Sequence, residues 1–180
     1  MKFFPITIKQ HQTWALDLLY LSIALLLFYF TFLGSYSLFL PDEARYAEIS
    51  REMLTTSNII VPKQNNVVFL DKPILHYWLQ MLAMKSFGMN EWAVRFFPAL
   101  CALLGCISTY ITGRLVFNRA SGMYSAIILA TTPIYFFAGH YANLDLEVAF
   151  FITLSLYSFL MATKAHASRH ALIIFVLYLF

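Results

Sequence analysis

Apolar residues in this chain are gathered into long blocks instead of being spaced along one face of each helix. Four blocks, at about residues 18–40, 96–116, 124–139 and 146–163, approach or exceed the roughly 20 residues a helix needs to cross a bilayer. The first follows Lys2 and Lys9. It is too long for a signal-peptide core of roughly 7–15 residues, so it reads as an uncleaved anchor. The third is shorter and contains Pro133. A last block, residues 171–180, would rise only about 15 Å as a helix, roughly half a hydrocarbon core. That pattern predicts a chain that stops inside a fifth span, as an amino-terminal piece of a longer membrane protein or a prematurely ended reading frame.

Between the first two blocks, residues 41–95 have a different texture. Pro41-Asp42-Glu43 ahead of Ala44-Arg45-Tyr46-Ala47-Glu48-Ile49-Ser50-Arg51-Glu52-Met53-Leu54 is a helix start, with acids near its positive end. Arg45–Glu48 and Glu48–Arg51 are pairs three residues apart. Asp71-Lys72-Pro73 announces a second helix over residues 74–87, ending at Gly88 and too short to cross. An aromatic, apolar helix of that length belongs in or near the membrane interface. Two strand-like pieces, residues 58–61 and 67–70, flank a polar turn between these helices. A connection this long in a helix bundle tends to carry function.

Composition sharpens the picture. The 180 residues are 61% hydrophobic and 12% charged, against roughly 45–50% apolar for a soluble domain. A water-soluble globule is close to excluded. The net charge of +3 is not concentrated in any basic, aromatic-interleaved stretch, so nucleic acid is not an expected partner. Cys101 and Cys106 lie five apart in one apolar run and diverge by about 140° on a helix, so they read as small core residues. Lys2 and Lys9, Arg114 and Arg119, and Lys164 and Arg169 all fall on one side of the predicted spans. The positive-inside tendency makes that side cytoplasmic. Residues 41–95 and the turn at 140–145 then face out. The expected divisions are residues 1–40, a cytoplasmic amino terminus and first span; 41–95, an extracytoplasmic loop with interfacial helices; and 96–180, spans two to four and the start of a fifth.

Several charged residues converge on the outer side. Asp42 opens a helix just after a span and would place its carboxylate in an aqueous pocket at the membrane surface, although helix capping would also account for it. Glu43, Arg45 and Tyr46 crowd the same turn. Arg45 also reads as an ion-pair partner and Tyr46 as an interfacial anchor. Lys72, at a helix start that itself attracts phosphate, suits an anionic head group, and a snorkelling lysine is the competing reading. Asp145 opens the fourth span on the same side, as a functional acid or a cap. Glu147 points roughly 200° away from it on a helix and is treated separately. His76, His140 and Asp71 share this face, which leaves a divalent metal open, but no pair has ligand spacing on one element. Arg95 reads as a snorkelling residue or a lipid-phosphate contact. His11, His166 and His170 read as ordinary interface residues, and Trp14, Trp78 and Trp92 as interfacial belts.

Taken together, Pro41-Asp42-Glu43-Ala44-Arg45-Tyr46-Ala47-Glu48-Ile49-Ser50-Arg51-Glu52-Met53, then Phe69-Leu70-Asp71-Lys72-Pro73-Ile74-Leu75-His76-Tyr77-Trp78, then Arg95-Phe96-Phe97-Pro98, resemble in order and spacing the amino-terminal third of lipid-linked glycosyltransferases of the aminoarabinose transferase and protein mannosyltransferase superfamily. The likeness runs from the first span to about Phe150. It implies an all-α integral membrane protein, a GT-C-type polytopic bundle with two short interfacial helices in the first outer loop, here truncated. It also implies transfer of a sugar from a polyprenyl-phosphate donor to a lipid A, protein or other cell-envelope glycan acceptor at the outer face of a bacterial inner membrane. On that resemblance Asp42 is the catalytic carboxylate and Asp145 the second acid. Lys72 contacts the donor phosphate together with Arg45, while Glu43, Tyr46 and Asp71 line the donor cavity. The family commonly carries Glu where Asp71 precedes Lys72-Pro73. The resemblance fixes no cofactor and leaves a divalent metal open. Inversion at the anomeric carbon is expected, because nothing suggests a covalent sugar intermediate. The rivals are part of a lipid or solute transporter, which would place its charges within spans, and a non-catalytic fragment whose lipid groove lacks a wall.

Overall fold

The first apolar block folds as helix α1, Ile8–Phe30, in this computed structural model, which describes residues 8–164 and the side chains of residues 13–160. The helix stops ten residues before the apolar block does. Residues 31–41 run as turns and extended chain although Phe32, Leu33, Leu38, Phe39 and Leu40 are all apolar. The physical cause is Arg95, whose guanidinium takes the carbonyls of Leu33, Tyr36 and Ser37 at 2.9–3.0 Å. Those oxygens are thereby satisfied outside a helical ladder.

Helix α2, Asp42–Thr56, carries Asp42 and Glu43 in its first turn and ends with Ser57 in the left-handed region. A two-residue hairpin follows, β1 Lys63–Gln64 against β2 Val67–Val68, antiparallel. Its turn is Asn65-Asn66, both at positive φ (54° and 65°), the turn type whose twist suits a hairpin and which asparagine tolerates. The first strand-like piece, residues 58–61, is not a strand. The Asn58 side chain instead accepts from the amides of Ile60 and Val61 at 3.2 Å. Helix α3, Ile74–Phe87, occupies the span expected between Pro73 and Gly88, and Gly88 sits at φ 88°.

Helix α4, Glu91–Val116, is capped by Asn90, whose side chain accepts from the Ala93 amide at 2.8 Å. It is the hub, packing against α1, α3 and three helices that follow: α5 Arg119–Thr131, α6 Pro133–Gly139 and α7 Leu144–Lys164. Its buried face is made of small residues, including Ala99, Ala102, Gly105 and Cys106. A Cβ on Gly122 would lie 2.6 Å from the Tyr110 carbonyl and one on Gly113 2.9 Å from the Gly122 Cα, so α4 and α5 approach closely because both positions lack side chains. The third apolar block is broken where Pro133 removes a backbone donor: α5 and α6 meet at 68° across Thr132.

Among the described residues, α1 (over Thr13–Phe30) and α4 are each long and apolar enough to cross a bilayer, and α5 with α6 qualifies as one broken span. Large apolar side chains such as Leu19, Leu26, Leu27, Ile127, Ile128, Ile134, Ile152 and Leu156 point outward, as lipid-facing or helix-facing surface does. The expected fifth block, with Arg169, His166 and His170, lies outside the described residues, as do Lys2 and the side chains of Lys9, His11 and Lys164.

Two networks show that α1 and α4 run antiparallel. At one end Asp17 on α1 binds Arg114 and Tyr110 of α4 and Arg119 of α5. At the other, Arg95 near the start of α4 holds the chain leaving α1. The second end also carries α2, the hairpin and α3 as a layer whose core is Tyr46, Ile49, Met53, Tyr77 and Met81, with Leu144 packed against it.

Candidate active site

The Arg95 guanidinium is fully buried and uses all five of its N–H donors. Besides the three carbonyls, Nε donates to Glu43 Oε1 at 2.9 Å and Nη2 to Glu43 Oε2 at 2.8 Å. The Tyr36 ring lies 3.9 Å from its centre. Glu43, equally buried, accepts further bonds from the amides of Phe39 (2.8 Å) and Ala142 (2.7 Å). This corrects two expectations. Arg95 does not snorkel to the interface, and Glu43 does not line a cavity: its oxygens are spent on one arginine and two backbone amides. Together they knot four segments: the α1–α2 connection, α2, α4 and the turn before α7.

That knot aims the neighbouring residues. Asp42 precedes Glu43 by one position and so projects about 100° around the helix from it. Asp42 is half-buried, and beside it stands Tyr141, from the turn that the Ala142 amide pins. Burial, and then the charges of Asp42 and Glu43, push the Tyr141 phenol above its ordinary range, with hydrogen bonding to Asp42 adding to the shift. Tyr46, one turn after Asp42, is buried. Its phenol is raised by burial first; Lys72 and Arg45 pull it down, and Asp42 and Asp145 push it up. Four charged groups from three stretches of chain therefore act on one hydroxyl. Tyr77 on α3 is also raised, by burial and then by Tyr46 and Asp71, with Arg45 opposing. Both phenols are protonated at neutral pH and available as donors.

The exposure of these groups suits chemistry at a wet surface. Asp71 and Asp145 are exposed, and Asp42, Arg45 and Lys72 are half-buried. Lys72 Nζ lies 3.6 Å from Asp71 Oδ2, a loose contact that leaves the ammonium free to turn to an anion. The Asn143 side chain donates to Asp145 Oδ2 at 2.7 Å. Of the expected helix pairs, Glu48–Arg51 forms at 2.6 Å on the exposed side of α2, away from this cluster. His140 sits elsewhere: its ring packs on Tyr29 and Phe136, and its Nδ1 lies 3.0 Å from the Phe136 carbonyl. His76 faces Glu147 at 2.9 Å. Among the described residues no three His, Cys, Asp or Glu side chains gather as a metal would need.

Comparison with known proteins identifies the family. Residues 71–179 match the family model described as dolichyl-phosphate-mannose-protein mannosyltransferase. The chain belongs to that mannosyltransferase family. Within the family's wider set of relatives, it is 37% identical over 163 residues to an undecaprenyl phosphate-alpha-4-amino-4-deoxy-L-arabinose arabinosyl transferase of Pseudomonas fluorescens (strain Pf0-1), covering 89% of this chain and 29% of that protein. It is 33% identical over 147 residues to the corresponding transferase of Wigglesworthia glossinidia brevipalpis, covering 81% and 26%. The crystal structure of ArnT from Cupriavidus metallidurans bound to undecaprenyl phosphate superimposes with a TM-score of 0.81 at 28% identity, over 88% of this chain and 30% of that one. The chain thus spans less than a third of the length of these relatives. Its helices are those of a GT-C bundle.

Sequence reasoning missed Tyr141 and Tyr77, and the partners of Arg95 and His76. Arg95 lies in the Arg-Phe-Phe-Pro motif, a signal of its importance, but its carboxylate is 52 positions away.

Proposed function

We propose that this chain forms the donor-binding, catalytic face of a membrane glycosyltransferase that moves a sugar from a polyprenyl-phosphate donor to lipid A at the outer face of a bacterial inner membrane. The observation that carries the reading is the meeting of α2, α3 and α7: the His76 ring of α3 lies 5.3 Å from the Tyr46 ring of α2 and its Nδ1 2.9 Å from Glu147 of α7, which brings the helix starts bearing Asp42, Arg45, Lys72 and Asp145 to one end of the bundle. The relatives, undecaprenyl phosphate-alpha-4-amino-4-deoxy-L-arabinose arabinosyl transferases, and a related structure bound to undecaprenyl phosphate support the donor class; lipid A is the acceptor this reading assigns. Protein or glycan acceptors are the alternatives the assay below separates. The placement of Arg114 and Arg119 at the end opposite the site supports an exoplasmic site with the amino terminus in the cytoplasm.

The chemistry follows from the groups present. The donor's phosphate is a built-in leaving group, so the protein must orient the acceptor, stabilise the departing charge and take one proton. Asp42 accepts the proton from the attacking acceptor oxygen as that oxygen bonds to the anomeric carbon. The bond from that carbon to the phosphate oxygen breaks, and its electron pair leaves with the polyprenyl phosphate. Lys72 and Arg45 receive the phosphate charge, the Tyr46 phenol donates a hydrogen bond in the same pocket, and Asp145 holds the sugar or acceptor from α7. A single displacement of this kind inverts the anomeric configuration.

The test uses the full-length transferase in membranes with undecaprenyl-phosphate-linked aminoarabinose and lipid A. Lipid A is expected to gain the mass of one sugar with inverted configuration. Transfer to protein alone would overturn the acceptor assignment, retained configuration would overturn the single displacement, and no transfer from any polyprenyl-phosphate sugar would overturn the function.

A further inference from the structure

One buried polar pair among the described residues has no part in the proposed mechanism. His76 on α3 and Glu147 on α7 are buried, with side chains 1% and 5% exposed, and His76 Nδ1 lies 2.9 Å from Glu147 Oε2. Around them, His76 Nε2, the Tyr77 hydroxyl, Gln80 Nε2 and Glu147 Oε1 are buried without a hydrogen-bond partner among the described residues. Gln80 is held by Ser50 of α2, whose hydroxyl donates to Gln80 Oε1 at 2.8 Å. Burying such groups is a poor route to stability, since apolar side chains of similar volume would fill the space at equal or lower cost. The position of the pair supplies another reason for it.

His76 follows Lys72 by four residues, and Glu147 follows Asp145 by two. The bond between them therefore ties the start of the helix that presents Lys72 to the start of the helix that presents Asp145. The His76 ring also meets the Tyr46 ring edge-on, with centroids 5.3 Å apart. Tyr46 is one turn from Asp42 on α2. One imidazole thus touches all three elements that bear the proposed site. Packing gives α3 and α7 little else in common: α7 rests chiefly on α4, and Leu144 is its contribution to the α2–α3 core.

We infer that the His76–Glu147 pair is a positioning element, resting on the transferase reading above, that sets the spacing between the phosphate-holding Lys72 on one side and the acids Asp145 and Asp42 on the other. Lys72 ends in a flexible four-carbon stem and can still find a phosphate if α3 shifts. The short carboxylates cannot follow. Loss of the pair should therefore spare donor binding and damage the chemical step.

The experiment is a double-mutant cycle in the full-length transferase, with kcat and donor KM measured on monodisperse protein. His76→Leu and Glu147→Leu should each lower kcat by about 100-fold, the scale of an ångström-level misplacement, with donor KM little changed. The double variant should be no worse than either single one, since one bond is lost in each case. His76→Asn, which keeps a donor nitrogen near the Nδ1 position, should recover most of the lost kcat. Where a leucine variant does not fold, His76→Gln against His76→Asn makes the same comparison, because the glutamine amide reaches the Nε2 position instead. Folded leucine variants with wild-type kcat would overturn the inference, as would losses that multiply in the double variant or a His76→Asn enzyme as impaired as His76→Leu. An inactive wild-type enzyme would instead overturn the transferase reading on which the pair's role depends.

Discussion

Each end of the bundle buries an acid against arginine, and the two ends use it differently. At the end opposite the site, Asp17 takes Arg114, Arg119 and the Tyr110 hydroxyl, and the Arg119 side chain remains 62% exposed. The acid there is consumed in joining α1, α4 and α5. At the site end the anchoring is delegated to Glu43, sealed with Arg95 at 0% exposure. The adjacent Asp42, with Asp145 from α7, is left at a wet surface among Lys72, Arg45 and Tyr46. Buried, fully paired acids hold the helices, and on the proposed reading the more open acids on the same scaffold carry the chemistry.

Substitutions can break this division, and the largest effect is expected at Asp42, the proposed catalytic acid. Asp42→Asn in the full-length transferase should cut turnover by roughly 100- to 10,000-fold, the usual worth of a positioned general base, with undecaprenyl phosphate binding largely intact. Turnover near wild type in a direct transfer assay would remove Asp42 from its role. Arg95→Met should act on the other side of the divide. It strands a buried carboxylate and should cost about 3–5 kcal/mol of stability, read as a lowered thermal midpoint in detergent. Adding Glu43→Gln should return part of the loss, and no recovery would mean that the two residues are not a pair. Asp17→Asn should cost less, about 1.5–3 kcal/mol for weakened charge-assisted bonds. Its turnover per folded molecule should stay at wild type, and a fall in kcat would show that the far end communicates with the site. Least affected should be Glu48→Gln, whose partner Arg51 is exposed on the outer side of α2. Neither thermal midpoint nor turnover should move measurably.

The legible part of this architecture was local. Pro73 and Gly88 bracket α3 by their own backbone limits, and the acids of the Asp42 turn mark the start of α2. Pro133 announced the break in the third block but not its 68° angle, which is a tertiary quantity. The end of α1 was illegible. Residues 31–40 remain apolar, and what stops the helix there is a guanidinium from 58 to 62 positions further along the chain. The site shows the same split. Asp42, Arg45 and Lys72 stand in local motifs, and Asp145 is marked by its place at the start of the fourth apolar block. The burial of Glu43 and the His76–Glu147 bond, 71 positions long in sequence, depend on which helix faces which. Helical geometry separates Glu147 from Asp145 by about 200°, and the structure turns that separation to use: one faces solvent and the other the buried imidazole.

A structure of the full-length protein with undecaprenyl phosphate bound would decide whether these charged groups form one donor site. The phosphate should lie against Lys72 and Arg45, with the Asp42 and Asp145 carboxylates on the same side of the membrane and within the reach of one sugar ring. A phosphate seated away from Lys72, or carboxylates too far apart to touch one sugar, would contradict a single donor site.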